Sequence, residues 1–248
     1  MWKRQANEAV LEEGPLRAAV NLAAPEEGLR AVTITDGSQT HPFSAAHLLR
    51  LQFSPELRAT QPQLSDAWIR GADLIGVYTP AGDLALRCEV YWRSLSKIAD
   101  GAPGVELIMS IQTDHLGAAA STRVHSDLPA GELLWVCDLD HPEARALDCQ
   151  SGPVVCTPER GLGLFLWRSA TIPWTYVEMV YPGDFISASA SAVGGERQLR
   201  WDLLPETIEK GVIRQARLRG CFVPGAGDVP DAVAAYRAFA GSALPLTA

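Results

Sequence analysis

Apolar and polar residues alternate with a period of two along most of the chain, and long helical patterns are scarce. In LALRCEVYWRSL, Leu84, Leu86, Cys88, Val90 and Trp92 share one face, while Arg87, Glu89, Tyr91 and Arg93 share the other. In GVELIMSIQTDHL, Val105, Leu107, Met109 and Ile111 oppose Glu106, Ser110, Gln112 and Asp114. Asp100, Gly101, Pro103 and Gly104 between these runs predict a hairpin turn. STRVHSDL sets Val124 and Leu128 against Arg123, His125 and Asp127 before Pro129, Ala130 and Gly131 turn the chain into ELLWVCD. GLGLFLWR is apolar on both sides, which predicts a central strand. The next run, RSATIPWTYVEMVYPGDF, carries Trp174, Tyr176, Glu178 and Val180 on one side and Thr175, Val177, Met179 and Tyr181 on the other. FISASASAV and RQLRWDLL are joined by Gly194 and Gly195, a hairpin signal. GVIRQARLRGCFVP sets Val212, Ala216, Leu218 and Phe222 against Gln215, Arg217 and Arg219. Earlier strands are expected at LRAAVNL, LRAVTIT, AHLLRLQF and ADLIGVYT.

Two helices are expected. One is a short N-terminal piece around Asn7 to Glu13. The other covers about 229–240, with Asp228 as N-cap, Pro230 in the first turn and Gly241 ending it. The stretch of about 139–161 is expected to be a long loop within a single domain spanning 1–248. A chain with about a dozen or more strands cannot stay one flat open sheet, so its sheets must pack face to face or close. The expected fold is therefore all-β, a large antiparallel two-sheet β-sandwich with a short C-terminal helix. One such architecture is the supersandwich of sugar-epimerase-like folds, an option carried by strand count and length and by no motif.

Composition and charge narrow the partners. The chain has 248 residues, 47% hydrophobic and 20% charged, a globular balance. A formal net charge of -8 without a basic run argues against nucleic acid or an anionic membrane surface as partner. Glu8, Glu12 and Glu13 interrupt the place of a signal-peptide core, no run reaches the length of a membrane span, and five irregularly spaced cysteines suit reduced thiols. A cytoplasmic protein without a cofactor, and a candidate homo-oligomer, is expected.

No P-loop, dinucleotide fingerprint, nucleophile elbow, His-Glu-x-x-His or Cys-x-x-Cys is present. The spacing of Cys137, His141, Cys149 and Cys156 matches no common zinc knuckle, so no metal site is assigned. His41, His47 and Arg50 cluster in DGSQTHPFSAAHLLR, where imidazole and guanidinium could hold an anion or move a proton. The broadest signal is a set of strands whose non-core faces carry planar donors, carboxylates and aromatic rings. Sugars are recognised by such mixtures, with rings stacking on aromatic faces and hydroxyls bonding to charged groups. On this reading Trp174 and Tyr176 stack a ligand, while Arg87, Tyr91, Arg93, Arg217, Arg219 and His125 bind it. Glu178 and His47 are the acid–base candidates. Whether chemistry occurs stays open. The alternative is a non-enzymatic protein–protein interaction or scaffold module whose polar sheet face meets another subunit. Polar faces are also ordinary in any antiparallel sheet with one wet side.

Overall fold

The computed structural model describes residues 1–53, 63–79, 86–95, 102–119, 121–204 and 207–243. Leu84 and the turn residues Asp100 and Gly101 lie outside the described residues. The first five strands, β1 (Trp2–Gln5), β2 (Glu8–Glu13), β3 (Leu16–Asn21), β4 (Arg30–Asp36) and β5 (Gln39–Pro42), form an antiparallel meander. After β6 (His47–Phe53) comes a second run: β7 (Gln63–Arg70), β8 (Asp73–Thr79), β9 (Leu86–Leu95) and β10 (Gly104–Thr113). The short β11 (Ala118–Ala119) precedes β12 (Thr122–Leu128), β13 (Glu132–Val136), β14 (Ala144–Ala146) and β15 (Val154–Cys156). Then follow β16 (Leu164–Arg168), β17 (Trp174–Val180), β18 (Ser187–Val193), β19 (Glu196–Leu203), β20 (Thr207–Ile208), β21 (Ile213–Pro224) and the helix α1 (Asp228–Ala240).

The largest sheet has nine strands in the order β14-β13-β16-β17-β21-β10-β9-β8-β7. Two five-stranded sheets, the N-terminal meander and β15-β18-β19-β12-β6, share one continuous apolar core with its inner face. Phe43, just after β5, packs on Trp167 and Phe222, Tyr78 on Phe53, and Trp201 on Phe165, so rings from two sheets and from the end of the meander meet there. The molecule is thus a multi-sheet β-sandwich in which two small sheets together make the second layer. Most of the alternation sorts as expected: Cys88, Val90, Trp92, Val105, Leu107, Met109, Ile111, Val124, Ala216, Leu218 and Phe222 all join this core, whereas Val212 precedes β21 and is exposed.

Helix α1 covers part of the outer face of the large sheet. Ala232, Val233, Ala235, Tyr236 and Phe239 form a second apolar layer with Leu134, Val136, Leu164, Leu166, Val177, Met179, Cys221 and Val223. This explains why β16 is apolar on both sides. Gly227 (φ 82°) is the N-cap, and Asp228 is the first helical residue. Its carboxylate accepts both Nε and Nη2 of Arg168 at 2.7 and 2.8 Å and the Thr175 hydroxyl at 2.7 Å. The Asp228 carboxyl is held below the ordinary range by those partners, which outweigh its burial.

Three expectations are corrected. Residues Asn7 to Glu13 do not make a helix: Glu8–Glu13 is strand β2, paired on both sides by β1 and β3. Sheet pairing here overrides the helical leaning of EAVLEE. The loop of about 139–161 contains β14 and β15, each three residues long and too short to show a period. The face of β17 bearing Trp174, Tyr176 and Glu178 is the core face and not the solvated one.

The edge strand β7 is largely exposed, with Trp68 and Ile69 at 38% and 37%. Its hairpin turns tightly between Arg70 and Asp73, so Ala67 directs its N–H and C=O away from β8. Both are already taken. The Asp66 carboxylate accepts the Ala67 N–H at 2.8 Å, and the Arg4 guanidinium donates to the Ala67 carbonyl. A strand approaching this edge finds it blocked at that point.

Candidate functional site

Three polar assemblies contain the side chains singled out by the sequence, and they lie in three different places. The first is inside the main core. Glu178 is 1% exposed, and its carboxylate accepts from Ser126 Oγ at 2.5 Å, Tyr176 Oη at 2.7 Å and Trp201 Nε1 at 2.5 Å. Ser126 Oγ in turn accepts the Leu49 N–H at 2.9 Å. Leu49 sits at a bulge: His47 pairs with Asp127 and Arg50 with His125, so Leu48 and Leu49 together oppose Ser126. Leu49 takes φ 54°, and both leucines turn into the core. Gly220 stands across from Glu178, where a Cβ would lie 2.5 Å from Tyr176 Oη. Glycine there leaves room for the phenol to reach the carboxylate. Burial raises the Glu178 carboxyl above its ordinary value despite three donors.

The second assembly is on the outer face of the large sheet. Arg87, Tyr91, Arg93, Arg217 and Arg219 share this face, yet most are committed to one another or to neighbours. Glu106 lies between Arg93 and Arg219 in register. Its carboxylate receives Arg217 Nε at 2.8 Å and Arg219 Nη2 at 2.8 Å. Arg93 holds both oxygens of Asp73 at 2.7 and 3.0 Å, and Glu89 accepts from Arg87 at 3.1 Å and Tyr91 Oη at 3.0 Å. The end of α1 closes over the arginine pair: Arg219 lies 4.3 Å from the centre of the Phe239 ring, and Arg217 Nη2 donates to Ser242 Oγ at 2.9 Å. Arg217 is 2% exposed and Arg219 6%, so this arginine pair is sealed, while Arg87 at the other end of the face stays exposed.

The third assembly is the outer face of the five-stranded sheet, and it is open. Arg50, His125 and Arg200 stand side by side on β6, β12 and β19. In the next row Arg123 Nε donates to Asp202 at 2.8 Å, and Ser187 Oγ bonds the same carboxylate at 3.3 Å. In the row before, Asp127 accepts from Arg50 and, at 2.8 Å, from Gln198 Nε2. All these side chains are half-buried. Arg50 is fixed further by Nε donating to the Glu26 carbonyl at 2.6 Å. The loop carrying Glu26 approaches β6 so closely that a Cβ on Gly28 would lie 2.3 Å from the Leu48 carbonyl oxygen. Three guanidiniums meet two carboxylates here. Among the described residues Arg200 Nε has no hydrogen-bond partner, and it lies 4.0 Å from Asp202. His125 is pushed down to about 4, first by burial and then by Arg50 and Arg200, so its imidazole is neutral at physiological pH.

The expected site residues are therefore not gathered into one place. His47 bonds the Glu27 carbonyl through Nδ1 at 3.0 Å and faces outward beside Asp127, with the β6–β12 layer between it and Glu178. Trp174 packs half-buried at the core margin, and Tyr176 is buried against Phe222. Of the ligand-binding candidates, His125 alone lies on the open face. Arg50, Arg123, Gln198 and Arg200 join it through strand register, which local alternation cannot reveal. Cys88, Cys149, Cys156 and Cys221 are buried free thiols and Cys137 is half-buried. Among the described residues no group of three or more His, Cys, Asp or Glu could hold a metal ion.

Comparison with protein-family models finds no match, and none is found among curated proteins. Solved structures do match. A galactose mutarotase-like protein from Lactobacillus casei superposes with a TM-score of 0.60 at 9% identity, over 86% of this chain and 99% of that one. The GalM/aldose epimerase homologue from C. elegans gives 0.56 at 8% identity, over 88% and 98%. The galactosidase domain of an alpha-galactosidase-sucrose kinase gives 0.55 at 8% identity, over 90% of this chain and 42% of that one. The chain has the supersandwich fold of aldose epimerases and galactose mutarotase-like proteins.

Proposed function

We propose that the protein binds a carbohydrate non-covalently on the outer face of the β6–β12–β19 strands, with His125 at its centre. The observation that carries this reading is the neutral, half-buried imidazole held between Arg50 and Arg200. A neutral imidazole both donates and accepts, as a sugar hydroxyl does. Around it the Arg123–Asp202 and Arg50–Asp127–Gln198 groups offer planar donors and carboxylates fixed by their own hydrogen bonds. Preorganised polar groups of this kind lower the cost of ordering on binding. The fold shared with sugar-processing proteins supports the ligand class, and the reading claims binding without a chemical step.

The test is a calorimetric screen of neutral mono- and disaccharides against the parent chain, His125→Ala and Arg200→Ala. Saturable binding weakened about tenfold or more by either change supports the proposal. Binding by no sugar, or binding indifferent to both changes, ends it. A second reading, a non-enzymatic interaction module, is favoured by one feature: the residues described on this face include no aromatic ring on which a sugar could stack. Affinity capture of a protein that is lost with Arg200→Ala, together with sugar indifference, would select that reading.

A further inference from the structure

A cleft of about 570 Å³ opens where the large sheet and the five-stranded sheet meet at one rim. Its walls come from both: Glu132, Leu133, Arg168 and Ser169 on one side, Arg197 on the other, and Leu147 between. We propose that this cleft is a ligand site for an acidic monosaccharide, one bearing a carboxylate or a phosphate ester.

Arg197 carries the assignment. It lies on the inward side of β19, opposite Leu128 and Ala192, so its guanidinium enters the gap between sheets. It is half-buried, and among the described residues it makes no ion pair. Arg168, in the same cleft, is already neutralised by Asp228, with Glu132 at 3.5 Å from its third nitrogen. The nearby Cys149 thiol feels the Arg197 charge, but burial keeps it protonated at neutral pH, so it supplies no counter-charge. A half-desolvated guanidinium without a counter-ion is costly, and its fork matches a carboxylate or phosphate bidentately. Leu133 and Leu147 give an apolar wall for the C–H face of a sugar ring, and Ser169 offers a hydroxyl. The volume lies within the usual range of small-molecule sites. Carboxylate and phosphate are one recognition chemistry here, and the site is separate from the His125 face.

The experiment is titration calorimetry of the full chain with glucuronate, glucose 6-phosphate, inorganic phosphate and glucose, repeated on Arg197→Gln, Arg197→Lys and His125→Ala. Saturable binding of glucuronate or glucose 6-phosphate is expected, with glucose at least about tenfold weaker. Arg197→Gln should lower that affinity about tenfold or more, Arg197→Lys should fall between, and the Arg197-dependent binding should persist in His125→Ala. Whichever acid binds more tightly identifies the anionic group. Inorganic phosphate binding as tightly as either sugar acid overturns the sugar assignment. No saturation by any anion, or Arg197→Gln binding like the parent, overturns the site. Loss in His125→Ala alone would place the acid on the other face and overturn it as well.

Discussion

Replacing Glu178 with leucine tests whether the buried carboxylate joins the sheets as its geometry implies. Leucine fills similar volume but leaves the Tyr176 hydroxyl and the Trp201 N–H without acceptors in the core. Ser126 keeps its bond from Leu49 N–H and loses only its own acceptor. Each stranded donor costs about 1–3 kcal/mol, so Tyr176 and Trp201 alone should cost the variant about 2–6 kcal/mol, with the Ser126 O–H adding to this and the carboxylate's own burial cost subtracting from it. Adding Tyr176→Phe removes one stranded donor and should recover about 1–3 kcal/mol. Glu178→Gln keeps one acceptor for Trp201, and its amide can donate to a reversed hydroxyl, so it should lose about 1 kcal/mol. The pH dependence gives a second readout. The folded carboxyl is raised above the unfolded value of 4.5, so the folded state keeps a proton that the unfolded state has released. Glu178 therefore contributes a fall in stability as pH rises from 4.5 through its folded value, a contribution that Glu178→Gln lacks. Urea unfolding followed by tryptophan fluorescence at about pH 5 and about pH 8 measures both effects. The reasoning fails if Glu178→Leu stays within about 1 kcal/mol of the parent, or if Glu178→Gln is as damaging as Glu178→Leu at both pH values.

Other expectations follow from the same contacts. Asp228→Ala strands the buried Thr175 hydroxyl and frees a partly exposed Arg168, so it should cost about 2–3 kcal/mol in urea unfolding; a loss under about 0.5 kcal/mol would show that the apolar face alone holds α1. Combining Arg4→Ala with Asp66→Ala uncovers the Ala67 backbone at the β7 edge, and light scattering should then report a larger, concentration-dependent mass than the parent shows. An unchanged mass would mean that these two caps do not guard the edge. His125 binds its proton near 4 when folded and near 6.5 when unfolded, so it should erode stability as pH falls from 6.5 to about 4 and contribute nothing to the slope above that. The difference between parent and His125→Gln across that window isolates the effect, and parallel curves would contradict it.

Much of the architecture is legible in the sequence because alternation reports faces directly. Val105, Leu107, Met109 and Ile111 declare one side of β10, and Gly194–Gly195, at φ 60° and 92°, mark the β18–β19 turn. Asp228 to Gly241 bound α1 within a residue. The candidate site is far less legible. In β17 both faces are buried, one by the core and one by α1, so alternation separates Glu178 from Met179 without saying which layer covers each. Arg217 and Arg219 look solvated by charge, but Glu106, more than a hundred residues away, and Phe239 close them in. His125 gains meaning only beside Arg50 and Arg200, each 75 residues distant, and strand order is not a local property. The one local trace was HLLR, where two successive core leucines break the period at the Leu49 bulge. Arg197, alternating like any strand residue, gives no sign of lacking an ion pair among the described residues.

Burial of apolar surface holds two layers together but is non-directional, so on its own it favours contact more than any one alignment. The path from the Leu49 amide through Ser126 to Glu178, Tyr176 and Trp201 works as a dowel set through the stack. Its directional bonds close at a single alignment, so the sheet that carries Arg50, His125 and Arg200 on its outside is held over the large sheet by a peg driven from within.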